Sequence, residues 1–169
     1  MSLQTFNSQV LPLRDKLYRF SLRIVGNTQD AEDVVQEVMV RVWKKKEDWK
    51  QWSNIEAMCM TITRNLSIDK KRNKHNRVAD MPDHYDEPSG DATPDEVTAS
   101  NDMMSQIRAM MDELPEKQRS IIQLRDIEGY AYKEIAEILE IPLNQVKINL
   151  HRARLFLKEK IVKAKSYGF

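Results

Sequence analysis

Apolar residues in this chain recur at intervals of three and four, which is the pattern of amphipathic helices. Three stripes are clear: Ala31, Val34, Val35, Val38, Met39 and Val42; then Ile55, Cys59, Ile62 and Leu66; then Val97, Met104, Ile107, Met111 and Leu114. No window alternates convincingly with the period of two that a half-buried strand requires. We therefore expect an all-α protein.

Helix-ending and helix-capping residues divide the pattern. Gly26 is predicted to end one helix and Thr28 to cap the next, while Ser53 and Glu56 have the spacing of a capping box. Residues 78–92 contain two prolines, one glycine and five acids, and we interpret them as a flexible acidic linker. Thr93, followed by Pro94 and Glu96, is predicted to cap the next helix.

This division predicts two small helical domains, 1–77 and 93–169, on either side of the linker 78–92. Each domain is small enough that it buries only a modest core. Fifteen linker residues reach at most about 50 Å when fully extended, and a relaxed coil spans only about 20 Å.

The segment 132–154 has the spacing of a helix-turn-helix, with a helix over 132–139, a turn at 140–142 and a second helix from 143. The residues expected to face inward are Ile135, Ala136, Leu139, Ile141, Val146 and Leu150. Pro142 suits the start of the second helix, where a backbone N–H would have no helical partner. The first helix is acidic and the second is basic.

Charge is segregated along the chain, although the net charge of the 169 residues is only +1. Residues 64–77 carry +5 and residues 142–169 carry +6, whereas residues 78–101 carry −7. Two basic blocks that flank an acidic one indicate a polyanionic partner contacted at two places.

Several classes of function lack support in the sequence. Cys59 is the only cysteine, so no disulfide framework is expected, and with three scattered histidines we expect no metal site. No apolar run resembles a signal peptide or a membrane span, and we expect a reduced, soluble, intracellular protein without membrane insertion. No glycine-rich phosphate loop or nucleophile–base pair is present, so we expect neither an enzyme nor a cofactor.

The second helix of the predicted helix-turn-helix is expected to enter the major groove of DNA. Its groove-facing residues would be Asn144, Gln145, Lys147, Ile148 and His151, with Arg152 and Arg154 near phosphates. On charge and spacing alone, an ordinary solvated helix pair remains the alternative.

The flanking residues resemble a known family. Residues 113–161 resemble region four of the extracytoplasmic-function (ECF) sigma factors of bacterial RNA polymerase, through Leu114-Pro115 with Arg119, Gly129-Tyr130, "EIAEIL" and "VKxxLHRAR". Residues 30–45 and 62–72 resemble region two of the same family. The sequence departs from the family pattern in two places. The turn usually carries glycine where this chain has Glu140, and a non-glycine residue with unusual backbone angles there is expected to cost about 1 kcal/mol. The pair after Val146-Lys147 is usually Ser-Arg but is Ile148-Asn149 here, which removes one positive charge and puts the promoter sequence, though not the fold, in question.

The resemblance implies a cytoplasmic protein that binds core RNA polymerase and promoter DNA to start transcription; it leaves open whether an anti-sigma protein also binds. The implied polymerase-binding residues are Asp30, Asp33, Gln36, Glu37 and Arg41. The residues implied for melting the minus-ten element are Trp49, Trp52, Arg64, Asn65, Ser67, Ile68, Lys70, Lys71 and Lys74. For the minus-thirty-five element, the resemblance adds Arg119 and Lys133 to the groove-facing and phosphate residues named above.

Alternatives remain for these surfaces. The acidic face at 30–41 suits a basic helical partner but is also compatible with a solvated face, and either tryptophan is also compatible with a place in the core. A stand-alone helix-turn-helix regulator is the closest rival function. Binding to core polymerase would distinguish it from a sigma factor.

Overall fold

The structure, a computed structural model, describes residues 3–80 and 99–166, with side chains described for 3–77 and 102–166. Every regular element in these ranges is helical, which confirms the all-α prediction. The chain divides into two compact units: unit 1 is built from residues up to 92 and unit 2 from residues 93 onward, with Glu137–Leu139 grouped with unit 1.

Unit 1 begins with a short helix α1 (Leu3–Thr5), followed by a π-helical turn (Phe6–Val10) and a 3₁₀ turn (Leu11–Leu13). Then come α2 (Arg14–Val25), α3 (Thr28–Lys44), a 3₁₀ segment (Lys46–Gln51) and α4 (Ile55–Asp80). Helices α2, α3 and α4 pack against one another around a core whose fully buried members include Leu17, Phe20, Val38, Val42 and Met60.

The only cysteine belongs to this core. Cys59 is fully buried, and the burial raises the pKa of its thiol to about 12, with the nearby Glu56 carboxylate adding to the rise. A thiol with such a pKa stays protonated at physiological pH and is a poor nucleophile. Cys59 is therefore a packing residue of α4, as its place in the predicted apolar stripe indicates.

Two helix caps differ from the sequence prediction by one residue. Gly26 ends α2 with φ of +82° as expected, but the cap of α3 is Asn27, whose Oδ1 accepts from the Asp30 N–H at 2.8 Å. At α4 the cap is Asn54, whose Oδ1 accepts from the Ala57 N–H at 3.1 Å, so the predicted Ser53–Glu56 capping box is wrong. In both places an asparagine next to the predicted hydroxyl residue caps the helix, and asparagine ranks among the best N-caps.

Unit 2 contains α5 (Ala99–Asp112), α6 (Glu116–Ile122), a π-helical turn (Gln123–Ile127), the start of α7 (Tyr132–Leu139) and α8 (Leu143–Ser166); the last three residues of α7 are grouped with unit 1. Its core includes Ile121, Leu124, Ile135, Val146 and Leu150, and α8 packs against α6 and α5. The helix-turn-helix is confirmed with both predicted helix bounds.

The turn of the helix-turn-helix contains the chain's one described non-glycine residue with positive φ. Glu140 has a φ of +56°, in the left-handed region where the Cβ of an L-residue is crowded. In the family pattern that the sequence resembles, glycine is usual at this position of the turn. The strain expected from the missing glycine is therefore present.

Two predictions near the linker have different outcomes. Helix α4 continues to Asp80, three residues beyond the predicted end of the first domain. Residues 81–92 of the predicted linker, and the predicted cap at Thr93 with Pro94 and Glu96, lie outside the described residues.

In α5, Met104 was predicted to face inward but is 43% exposed, because it lines an open apolar groove between α5, α6 and the second half of α8.

Candidate protein- and DNA-binding surfaces

Helix α3 presents a polar face opposite its buried valines. Asp33, Gln36, Glu37 and Arg41 are all exposed, and the Glu37 carboxylate accepts from Arg41 Nη2 at 2.8 Å within the helix. Asp30 is more enclosed, because its side chain is held by the Asn27 amide at 2.7 Å. The predicted polymerase-binding residues therefore lie on one helix face, with Asp30 at its first turn.

The sequence prediction missed an apolar residue in the middle of this face. Val40 lies one turn beyond Gln36 and Glu37, and it is 51% exposed. The sequence does not distinguish Val40 from the other valines of α3, because those belong to the buried stripe. A single exposed valine is common on protein surfaces, but here it adds an apolar side chain to the middle of the predicted polymerase-binding face.

The predicted DNA-binding residues of α4 that are not buried fall into two groups. Lys70 and Lys74 lie beside α3, where Lys70 Nζ is 3.4 Å from the Asp33 carboxylate and Lys74 Nζ is 3.4 Å from that of Asp30. The others in the predicted DNA set lie on the remaining surface of the helix: Arg64, Asn65, Ile68 and Lys71. Two of the lysines expected to meet DNA thus already have carboxylate partners.

Two members of the predicted minus-ten set are core residues, and their assignment to DNA contacts is wrong. Ser67 is fully buried and its hydroxyl donates to the Ser21 hydroxyl at 2.7 Å. Trp49 is 2% exposed, its indole N–H donates to the Val42 carbonyl at 3.0 Å, and its ring stacks on Phe6. A base has no free ring face of Trp49 on which to stack.

Trp52 has a different environment. It is half-buried and follows the 3₁₀ segment in an extended conformation. Together with Trp49 and the start of α4 it lines a polar cavity of about 400 Å³. Of the two tryptophans, therefore, only Trp52 combines a partly exposed ring with a neighbouring cavity.

Helix α8 exposes the face predicted to enter the major groove. Asn144, Lys147, Ile148, His151 and Arg152 are exposed, and Gln145 is half-buried. Leu155, which the sequence reading did not include, extends the same face and is 48% exposed. Within the described part of the chain, Lys147 and Arg152 have no carboxylate partner, so their charges are open to an incoming anion.

Arg154 differs from these residues. Its guanidinium forms a bidentate pair with Asp126, with Nε 3.0 Å and Nη2 2.5 Å from the two carboxylate oxygens. The hydrogen bond to Asp126 raises the pKa of Arg154, so the side chain stays charged. Arg154 was predicted to contact phosphate; in the structure it holds α8 to the segment after α6.

Three further residues bear on recognition. Lys133 is exposed on α7, as a phosphate contact requires, but Arg119 is only 9% exposed and its Nε is buried without a hydrogen-bond partner in the described residues. The structure thus gives Arg119 little exposed surface for the predicted DNA contact, which stays a prediction. Asn149, at the family's usual arginine position, is 6% exposed and donates to the Gln145 carbonyl at 2.7 Å.

Other kinds of site are not evident. No group of three or more His, Cys, Asp or Glu residues within 3–80 and 99–166 is arranged to hold a metal ion. Over the same described ranges, none of the helices combines the length and apolar character needed to cross a bilayer. The surfaces that remain are those of α3, α4 with its preceding segment, and α8.

Two all-α units, one with a helix-turn-helix and each with a basic helix, define a protein of the helical DNA-binding class. Comparison with known proteins narrows this class. The model for Sigma-70 region 2 matches residues 10–77, and that for Sigma-70 region 4 matches residues 104–157.

Relatives of known name extend the match over most of the chain. The ECF RNA polymerase sigma factor SigL of Mycobacterium tuberculosis is 35% identical over 85% of this chain and 83% of its own length. SigE of Mycolicibacterium smegmatis is 33% identical over 90% of this chain, which spans only 60% of that longer protein. SigW of Bacillus subtilis is 28% identical over 88% of this chain and 84% of its own.

Solved structures agree in fold. The sigma factor RpoE of Bartonella quintana, in complex with the anti-sigma factor NepR, matches with a TM-score of 0.74, 23% identity and coverage of 93% of this chain and 96% of that one. CnrH, in complex with the cytosolic domain of CnrY, matches with a TM-score of 0.72 and 19% identity over 96% and 90% of the two chains. The chain belongs to the ECF family of RNA polymerase sigma factors.

Proposed function

We propose that this sigma factor uses α3 to hold core RNA polymerase, the region from Trp52 through α4 to open and bind the minus-ten element, and α8 to bind the minus-thirty-five element. The observation that carries the proposal is the exposed face of α8, where unpartnered basic residues lie on the second helix of a helix-turn-helix. The family match supports the same division of labour between the two units.

The α3 surface suits a basic helix of the polymerase. Asp33, Gln36 and Glu37 supply acceptors on one face, and the exposed Val40 supplies an apolar centre. Interfaces gain most from a desolvated centre surrounded by polar contacts, and complementary charge guides the approach. Arg41 serves to orient Glu37, because their side chains are paired within the helix.

In unit 1 we assign DNA contacts to residues that remain accessible. Trp52 offers a ring for stacking on an unpaired base, which is typically worth about 1–3 kcal/mol. Arg64, Asn65, Ile68 and Lys71 continue along the free surface of α4. Lys70 and Lys74 would exchange their aspartate partners for phosphates.

In unit 2, direct contact with base edges is assigned to Asn144, Lys147, Ile148 and His151. Ile148 replaces a polar residue of the family pattern, and an apolar side chain in the major groove favours the methyl group of thymine. Arg152 and Lys133 are the phosphate contacts, and Leu155 borders the contact. Asn149 supports Gln145 from inside the helix pair.

The site of action and the wider set of partners follow from this function. Because core polymerase and promoter DNA are cytoplasmic in bacteria, we place the protein in the cytoplasm. An anti-sigma factor, NepR, is bound in the solved structure of RpoE of Bartonella quintana, and we extend that class of partner to this chain. We assign no catalytic residue of its own to the chain.

Reconstitution with purified core polymerase tests the proposal. A sigma factor should co-elute with core polymerase in gel filtration and support run-off transcription from DNA that core polymerase alone does not transcribe specifically. A stand-alone regulator, the rival function, would bind DNA with a salt-dependent affinity but would neither co-elute with core polymerase nor start transcription.

A further inference from the structure

The polar cavity in unit 1 is shared by three segments of the chain. Gln9 and Leu13 come from the N-terminal helical segment, Trp49 from the 3₁₀ segment, and residues 52–56 from the junction that leads into α4. Its volume of about 400 Å³ lies within the range of about 300–1,000 Å³ typical of small-ligand pockets. The N-terminal segment carries none of the motifs by which the chain resembles its family.

The N-terminal segment is firmly placed at this cavity. Phe6 packs edge-on against Trp43, with ring centroids 5.4 Å apart, and stacks on Trp49 at 6.2 Å. Val10, directly after Gln9, is fully buried. The backbone at Gln9 is thus anchored from both sides, although the Gln9 side chain itself is exposed.

The polar side chains that line the cavity differ in whether their hydrogen-bonding atoms already have partners within the described residues. Asn54 Oδ1 is occupied by the Ala57 N–H, so Asn54 offers only its Nδ2 donors to a ligand. Glu56 is held by Lys16 at 3.2 Å. The Gln9 carboxamide makes no hydrogen bond within the described residues, and it provides one acceptor and two donors.

A planar ligand with a hydrogen-bonding edge fits this combination of groups. The Trp52 ring supplies a stacking surface, and amide side chains are the common readers of adjacent donor and acceptor atoms on a base. Lys44, Lys45, Lys46 and Lys50 lie in the same stretch and provide positive charge for a phosphate backbone. A nucleobase in single-stranded DNA meets all three conditions.

We infer that Gln9 is a specificity-determining residue that, together with Asn54, reads the hydrogen-bonding edge of one unpaired base held in this cavity. The inference rests on the proposed function of unit 1 in promoter opening. Gln9 lies outside the segments that resemble the family's promoter-binding motifs, so it would be an additional base-recognising residue. Its effect is expected at only one position of the melted strand.

The experiment uses holoenzyme reconstituted from core polymerase and the full chain. The probe is a fork-junction DNA whose single-stranded segment contains six randomised bases, and the retained DNA is sequenced. Gln9→Met keeps the length of the side chain but removes its hydrogen-bonding atoms. Asn7→Leu is the matched control, because Asn7 is an exposed amide of the same segment that does not line the cavity.

We expect Gln9→Met to reduce the base preference at a single position by about 5- to 100-fold, the range expected for one lost bidentate contact. The preferences at the other five positions, and all preferences of Asn7→Leu, should match those of the wild type. An abasic nucleotide at the affected position should make wild type and Gln9→Met bind equally.

Two results would overturn the inference. One is a Gln9→Met holoenzyme with the wild-type preference at every position; the other is a uniform loss that persists on the abasic probe, which would make Gln9 a structural residue. Failure of the proposed function looks different, because the wild-type chain itself would then retain no fork-junction DNA with core polymerase.

Discussion

Helices α4 and α8 are both long and basic, yet their charges are used differently in the structure. In α4, Lys70 and Lys74 lie beside Asp33 and Asp30 of α3 at 3.4 Å. In α8, Lys147 and Arg152 have no such partner in the described residues. Two other basic residues of α8 are paired: Arg154 with Asp126 of the segment after α6, and Lys160, nearer the end of the helix, with Glu113.

The difference shows that the net charge of a helix does not by itself predict the affinity of that helix for DNA. A phosphate that approaches Lys70 must compete with a carboxylate already in place, whereas one that approaches Arg152 meets a free cation. Exposed pairs are individually weak, typically about 0–1 kcal/mol, so the competition reduces the affinity of α4 for DNA without preventing binding. We therefore expect the proposed DNA-binding faces of α8 and α4 to contribute unequally to DNA affinity.

The largest expected effect comes from reversing charge on the α3 face. Asp33→Lys with Glu37→Lys should abolish run-off transcription, because lysines would meet a basic partner helix and like charges in an interface cost several kcal/mol. The free energy of unfolding should change by less than about 1 kcal/mol, since both side chains are exposed. Chemical denaturation and gel filtration with core polymerase measure the two quantities.

Glu32→Lys is the control for that pair, because Glu32 is exposed on the same helix but is not one of the residues of the proposed polymerase-binding face. It should retain binding to polymerase. DNA binding through α8 should persist in the double variant. A double variant that still co-elutes with core polymerase and transcribes normally would disprove the assignment of α3.

The two tryptophans give the next largest effect and separate structure from function within unit 1. Trp49→Ala should destabilise unit 1 by about 3–5 kcal/mol, as is usual when a buried aromatic residue is truncated. Trp52→Ala should cost much less stability but should reduce strand opening more than it reduces closed-complex formation, because stacking acts only on unpaired bases. Thermal unfolding and permanganate footprinting distinguish the two variants; equal losses in both binding steps for Trp52→Ala would contradict its stacking role.

Single arginine and lysine variants test the comparison of α8 with α4 directly. Arg152→Gln should reduce the slope of log affinity against log salt by about 0.9, the value for one phosphate contact. Lys70→Gln should change the slope by less, because the lysine gives up a carboxylate partner when it binds phosphate. Salt titrations of the full chain on double-stranded DNA measure both slopes.

Arg154→Gln allows a paired arginine of α8 to be compared with the unpaired Arg152 in the same salt titration. Because Arg154 is paired with Asp126, its loss should affect unfolding, by up to about 1 kcal/mol, more than it affects the salt slope. If Arg154→Gln lowers the slope as much as Arg152→Gln does, the ion pair opens on DNA and Arg154 returns to the set of phosphate contacts.

The smallest expected effect concerns the turn of unit 2. Glu140→Gly should stabilise the protein by about 1 kcal/mol, since glycine adopts the φ of +56° without the crowding of a Cβ. Ala at Gly129, where φ is +80°, should change stability by a similar amount in the opposite direction. Unfolding in denaturant measures both; a destabilised Glu140→Gly would mean that the Glu140 side chain makes a contribution larger than the backbone strain.

The helical class, the bounds of the helix-turn-helix and most of the buried stripes could be predicted from the amino-acid sequence alone. These features depend on local properties, namely the spacing of apolar residues, the fixed φ of Pro142 and the positive φ available to Gly26, and neighbours along the chain suffice to reveal them. The strain at Glu140 was predictable for the same reason. The caps at Asn27 and Asn54 were missed by one residue, because adjacent polar residues compete for the same backbone donors and spacing alone does not decide between them.

The packing of the helices was needed to show which members of each predicted functional set reach the surface. Trp49, Ser67 and Arg119 are buried by contacts with residues distant in sequence or on other turns, and Lys70, Lys74 and Arg154 are paired with carboxylates on other elements. The same holds for Val40 and Gln9, whose exposure and neighbours become visible only when helices are packed. Burial and ion pairing are set by distances between segments far apart in the chain, and hydrophobic periodicity carries no information about those distances.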